Sequence, residues 1–278
     1  MNRTTRRRLV SATFVGACGL AVLVALVPLV MVLFFVVSQG VQALNVEFFT
    51  HMPRPVGEPG GGMLNAIVGT LILIGLASAI AIPVGVISGI YMAEYAGTRL
   101  ATIVRFAADT LNGVPSIVIG IFVYGIAVLP FRQFSALAGG LALGIMMIPI
   151  IARTTEELLR LVPDSLREAA VALGCPRWKM VTLVSYRAAG TGIATGVLLA
   201  LARVAGETAP LLFTALNNQF WSSDMARPMA NLPVVIFQFA MSPYEDWHRL
   251  AWGGAALITC TVLAVNIFAR ALLPRART

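Results

Sequence analysis

The sequence predicts an all-α integral membrane protein with six transmembrane helices. Composition gives the class: 58% of the 278 residues are hydrophobic and 12% are charged, where soluble domains carry about a quarter charged residues. Spacing gives the number. Apolar runs near the roughly 20 residues that cross a bilayer recur at 14–38, 64–93, 104–130, 135–156, 188–213 and 249–272. Charge gives the arrangement, because an even number of spans puts both termini on one side and the basic residues follow that side.

The first span follows the basic head MNRTTRRR, and its apolar run of about 24 residues exceeds the core of a signal peptide, so it reads as a retained helix. The loop 39–63 ends in VGEPGGGM, which is turn-rich and lacks the Gly-Lys-Ser/Thr of a nucleotide P-loop. The later spans are punctuated by Pro83, Gly85, Gly89, Gly113, Pro115, Gly120, Pro149, Gly206 and Pro210, and the first by Pro28. Backbone groups freed by such residues must be satisfied by neighbouring helices or by water in a cavity. A single proline is ordinary in a membrane helix, but the collection favours a bundle that moves or conducts. The loop 214–248 contains NLPVVIFQFAM, too short to span, and so re-entrant or interfacial. Trp221, Tyr244, Trp247 and Trp252 flank it as an aromatic belt or, less simply, a partner surface.

Arg3, Arg6, Arg7, Arg8, Arg99, Arg105, Arg160, Arg167, Arg177, Lys179, Arg187, Arg270, Arg275 and Arg277 fall on one face, and Arg54, Arg132, Arg227 and Arg249 on the other. The positive-inside rule places the first group, with both termini, in the cytoplasm. The formal charge of +8 therefore reads as orientation, and no soluble basic face is available for nucleic acid. Cys18, Cys175 and Cys260 share no close spacing, so they support neither a disulfide framework nor a metal site.

The stretch SLREAAVALGCPRWKMVTLVSYRAA at 165–189 interrupts the apolar pattern. Ser165 and Glu168 have capping-box spacing, which predicts a helix start. Leu166, Ala169, Ala170 and Leu173 follow as a small apolar stripe, Gly174 suits a left-handed helix end, and Pro176 the first turn of a second short helix. The expected product is a knob with a shallow apolar face ringed by Arg167, Arg177 and Lys179. It suits either a groove on a soluble partner or anionic lipid head groups.

This stretch resembles the EAA loop of ABC importer permeases, whose pattern is Glu-Ala-Ala, three residues, Gly, nine residues, Ile, one residue, Leu-Pro. Glu168, Ala169, Ala170 and Gly174 match, and Val184 stands at the Ile position. Tyr186 and Arg187 replace Leu-Pro, so Gly190 and Gly192 are expected to supply the bend into the fifth span. Three further stretches are similar to the phosphate permeases of that family: GGMLNAIVGTLILI with IYMAEYA, LNGVPSIVIGIFVYG at 111–125, and LARVAGETAPLLFTA at 201–215.

The resemblance implies a MetI-like permease fold: a tail and first helix over 1–40, and a transmembrane domain over 60–275 with a cytoplasmic coupling loop at 157–187. It implies that Ser165, Leu166, Glu168, Ala169, Ala170 and Gly174 couple to an ATPase subunit, which as a dimer binds ATP-Mg, while this chain is no enzyme and binds no cofactor. The other implied partners are a homologous second permease subunit, an extracytoplasmic phosphate-binding protein, and phosphate itself, at a bacterial plasma membrane.

Arg203 and Glu207 lie four apart in the fifth span, where a central charge costs roughly 2.5–3.5 kcal/mol on insertion scales. Either they neutralise each other as an i, i+4 pair, or Arg203 offers its fork of donors to an oxyanion on the substrate pathway while Glu207 holds it or repels the anion onward. Asp109, Asn112 and Ser116 are weaker pathway candidates, since capping, a tie to a second subunit or a bond back to the helix explains them as well. Two other readings remain open: a permease for sulfate or molybdate, and an ion-coupled transporter using Glu207 as a proton relay.

Overall fold

The computed structural model describes residues 3–55, 58 and 60–272. Arg275 and Arg277 of the basic C-terminal segment, and Val56, Gly57 and Pro59 of the loop 39–63, lie outside the described residues, as does the side chain of Arg6. In chain order the helices are α1 (Arg3–Gly40), α2 (Val46–Thr50), α3 (Leu64–Glu94), α4 (Arg99–Gly113), α5 (Ser116–Val123), α6 (Ala136–Arg160), α7 (Asp164–Ala172), α8 (Arg177–Lys179), α9 (Tyr186–Val204), α10 (Ala209–Leu212), α11 (Leu232–Ala240) and α12 (Glu245–Leu272). Two π-helical segments, Tyr124–Val128 and Met180–Ser185, extend α5 and join α8 to α9. Among the described residues there is no strand.

Among the described residues five stretches are long and apolar enough to cross a membrane: Ser11–Gly40, Leu64–Glu94, Ala136–Arg160, Arg177–Val204 and Glu245–Ala271. The sixth expected span, 104–130, is not one straight helix; α4 and α5 meet at 106°. The break falls at Val114, which is extended at φ −75°, ψ 129°, because the ring of Pro115 disfavours helical backbone in the residue before it. Pro28, Pro83 and Pro149, by contrast, sit inside unbroken helices.

The fifth span also differs from expectation. It begins at Arg177 rather than 188, runs through the π segment, and shows no bend at Gly190 or Gly192. Pro176 caps its start with its fixed φ of −64°, and no proline follows before Pro210.

The centre of the bundle is the seam between α3 and α6. Gly69, Leu73, Ala77, Ala81, Gly85 and Gly89 are buried at four-residue steps along α3, a ridge that apart from Leu73 is made of small residues and lets backbones approach closely. A Cβ added at Gly85 would stand 2.8 Å from Ile151 Cβ, and one at Gly89 would stand 2.5 Å from the Ala152 carbonyl oxygen. From the other side, Gly140 of α6 faces Leu76 Cβ at 2.6 Å by the same measure. Leu73, Leu143, Met147, Ile151 and Val204 fill the core around this seam. α9 lies on α6 through Gly196, whose added Cβ would meet Thr154.

At the end of the bundle away from α7, the apolar piece of the loop 214–248 forms α11. Asn231 caps it by accepting from Val234 N at 3.1 Å, and Leu232 N donates to Thr70 Oγ1 of α3 at 2.8 Å. Leu232, Val235 and Phe239 are buried with Phe48, Met63, Leu250 and Ala251. Trp247 stacks on Phe239 at 4.5 Å and Trp252 meets Phe35 edge-on at 5.1 Å, so these two rings pack within the fold, whereas Trp221 and Tyr244 are exposed. α1 is peripheral. Its most apolar stretch is wholly exposed, and it meets α12 where Gly40 lies against Ala256 and the Trp252 backbone.

Candidate functional site

The knob predicted at 165–189 is present, with a different start. α7 begins at Asp164 with Pro163 as its cap, and no side chain caps it. The capping box therefore does not form: Pro163 fixes the entry at φ −58° and Ser165 falls inside the first turn, too late to cap. The helix end follows the sequence. Gly174 is left-handed at φ 77°, Gly174 N donates to Val171 O at 2.9 Å and Cys175 N to Ala170 O at 3.1 Å, the paired bonds of a Schellman turn.

No residue of α7 is buried. Ser165, Glu168 and Ala169 are exposed and Ala170 is half-buried. Leu166, Val171, Leu173 and Trp178 present an exposed apolar face, with Leu173 at 89% exposure. The expected ring of cations is only partly there. Arg167 turns inward to pair with Glu94 and donates to Leu159 O at 2.8 Å. Arg177 donates to Glu94 O at 2.8 Å, leaving Lys179 over the ring of Trp178 at 5.4 Å.

Beside the knob lies an ionic cluster that the sequence reading did not single out. Glu156, buried at 1% exposure, accepts from Arg105 of α4 at 2.6 Å and from Arg153 and Arg160 of its own helix at 2.8 and 2.7 Å. Arg153 also reaches Asp109 at 3.0 Å. Burying a carboxylate is costly unless it is paired and hydrogen-bonded, and three guanidiniums meet that requirement while tying α4 to α6. One signal was available: Arg153, Glu156 and Arg160 stand at i, i+3 and i+7 at the end of an apolar helix, a spacing that brings them onto one face. The long-range partner, Arg105, carried none.

Arg203 and Glu207 do not form the helical pair considered above. α9 ends at Val204, so Arg203 lies in its last turn and Glu207 lies beyond the helix. The turn is forced from downstream, since Pro210 lies in the first turn of α10 and lacks the N–H that continued helix would need. Among the described residues neither Arg203 nor Glu207 has an ion-pair partner. Both line a cavity of about 840 Å³ between α1, α9 and α12, together with Asn266, Arg270, Leu29 and Leu33. An unpaired guanidinium here has its donors available to an oxyanion.

The weaker candidates lie elsewhere. Asp109 is held by Arg153, Asn112 is exposed in the last turn of α4, and Ser116 opens α5 after the bend. Arg153 neighbours Thr154, which packs at Gly196; Arg203 lies about 10 Å further along α9 at 1.5 Å per residue. Asp109 is paired with Arg153 and is not among the residues lining the cavity with Arg203 and Glu207.

The sequence model of the binding-protein-dependent transport system inner membrane component family matches residues 81–278. The chain belongs to this family. Among binding-protein-dependent transport components, the chain is 49% identical over 270 residues to the phosphate transport system permease protein PstA of Pasteurella multocida, covering 97% of this chain and 96% of that protein. It is 52% identical to PstA of Yersinia pestis over 89% of this chain and 84% of that one. It is 38% identical to PstA 1 of Mycobacterium tuberculosis strain H37Rv over 96% of this chain and 88% of that protein. Its fold is shared with a chain of the MetNI methionine ABC transporter in an inward-facing conformation, at TM-score 0.58 and 19% identity, covering 75% of this chain and 93% of that one.

Proposed function

We propose that this chain is the permease subunit of an ATP-driven phosphate importer, moving inorganic phosphate inward by alternating access. The observation that carries this reading is the near-50% identity, along almost the whole chain, to proteins named as phosphate transport permeases. The exposed knob of α7 and the unpaired Arg203 support it physically, one as a docking surface and the other as an anion contact.

The chain does not hydrolyse ATP; a dimeric ATPase subunit holding ATP-Mg docks on the coupling loop 157–187 through Ser165, Leu166, Glu168, Ala169, Ala170 and Gly174. Leu166 and Leu173 offer it apolar contact and Glu168 a charge. The transmembrane domain, 60–275, pairs with a homologous second permease subunit and receives phosphate from an extracytoplasmic binding protein. Arg203 and Glu207 line the substrate pathway, with Arg203 binding the oxyanion by two parallel N–H bonds. The arginine-rich loops lie in the cytoplasm, as do both termini.

The test is radiolabelled phosphate uptake in cells lacking their own phosphate importers and expressing this chain with its neighbouring subunits, with sulfate and molybdate as competitors. Uptake that needs the ATPase and intact residues 165–187, and is insensitive to the competitors, is expected. Displacement of phosphate by sulfate would overturn the cargo and leave the fold untouched.

A further inference from the structure

The last turn of α3 is gripped from three directions. The final carbonyls of a helix lack partners within it; here Met92 O accepts from Arg105 Nη2 at 3.4 Å and Glu94 O from Arg177 Nη2 at 2.8 Å. The Glu94 carboxylate, with its side chain only 3% exposed, pairs with Arg167. Arg177 also lies over the Tyr95 ring at 4.6 Å, and Tyr95 stacks on Tyr91 at 5.1 Å. A carboxylate at a helix C-terminus meets the unfavourable end of the dipole, and its burial adds a desolvation cost. Glu94 is therefore an expensive way to end α3 unless the pairing itself serves a purpose.

That purpose follows from what holds α7. With no buried residue, α7 has no apolar anchor of its own. Arg167 fixes it at mid-length to Glu94 and to Leu159 O, and Arg177 fixes the segment after the Schellman turn to the same turn of α3. Beyond Glu94 the path is stiff, because Gly89 and Gly85, lacking side chains of their own, bring α3 directly against the Ala152 carbonyl and the Thr155 and Ile151 side chains of α6.

Resting on the importer reading, we propose that Glu94 is the positioning residue that transmits displacement of the docking helix α7 to the α3–α6 seam. The anchor acts through Arg167, and Arg177 keeps the two ends of the knob moving together. Glu94 touches neither phosphate nor ATP.

The experiment uses the full importer in liposomes, with the ATPase and binding protein, reading ATP hydrolysis and phosphate uptake in the same sample. The variants are Glu94→Gln and Arg167→Lys; the first removes the charge at constant shape, and the second keeps charge but loses the forked geometry. Both are expected to assemble and hydrolyse ATP while moving less phosphate, so that ATP consumed per phosphate rises about tenfold for Glu94→Gln, within the usual range of coupling between sites. The rise is expected to be smaller for Arg167→Lys. The double swap Glu94→Arg with Arg167→Glu is expected to recover part of the coupling.

A wild-type ratio in both single variants overturns the proposal. So does a loss of assembly in which the remaining complexes keep the wild-type ratio, since that marks Glu94 as a structural tie. Absence of ATP-dependent phosphate uptake in the unaltered importer overturns the importer reading instead, and this proposal falls with it.

Discussion

Gly89→Ala should destabilise the protein even though alanine is the better helix former. The new Cβ would stand 2.5 Å from both the Ala152 carbonyl oxygen and Thr155 Cβ. An ordinary carbon–oxygen contact is about 3.4 Å, so the backbones of α3 and α6 must part by about 0.9 Å, and a carbonyl cannot rotate out of the way as a side chain can. Overpacking of this kind costs about 1–3 kcal/mol, against a gain of about 0.5–1 kcal/mol for replacing glycine inside a helix. Gly75 supplies the control, since it lies in the same helix with nothing within 4 Å of an added Cβ. The propensity gain cancels between the two variants, leaving a difference of about 1–3 kcal/mol attributable to the seam. The assay heats each detergent-solubilised variant and records the temperature at which half the monodisperse protein is lost. With about 2–4 °C per kcal/mol for chains of this size, the Gly89 variant should fall several degrees below the Gly75 variant. A Gly89→Ala protein as stable as Gly75→Ala would refute the close approach of α3 and α6.

Leu173→Asp, at a position 89% exposed, should leave the stability of the chain within about 0.5 kcal/mol yet abolish co-purification of the ATPase subunit. Arg203→Lys should cut phosphate uptake several-fold although the charge is kept, because an ammonium cannot form two parallel bonds to an oxyanion; normal uptake would remove Arg203 from the pathway. Glu156→Ala leaves Arg105, Arg153 and Arg160 mutually repelling. It should cost about 3 kcal/mol, the low end for breaking a buried pair because the guanidiniums are partly exposed, and melting of the variant checks it.

What the sequence disclosed were features set by local chemistry. Long apolar runs fixed the spans, the left-handed Gly174 marked the end of α7, and Leu166 with Leu173 marked an exposed face. The errors arose where a neighbour in sequence or space outweighed the local pattern. Pro163 took the capping position that Ser165 and Glu168 were expected to fill, and Pro210 ended the helix that would have paired Arg203 with Glu207. Pro115 bent α4 from α5, whereas Pro83 and Pro149 did not break their helices, and composition cannot tell these cases apart. The long-range ties of Glu156 and Glu94 were invisible for a different reason. Their partners Arg105 and Arg167 stand 51 and 73 residues away, a separation that only the packed bundle closes.

The peripheral placement of α1 has a consequence for biosynthesis. Its seat is Trp252 and Ala256 on α12, which leave the ribosome roughly 200 residues after it, a delay on the order of ten seconds or more at 5–20 residues per second. Throughout that interval the helix must persist in lipid without its seat on α12. The most apolar 18-residue stretch within Ser11–Gly40 has a mean hydropathy of 3.2, the highest such value of the five spans, and meets that demand. α6, which finds α3 sooner, carries Arg153, Glu156, Glu157 and Arg160 within its span.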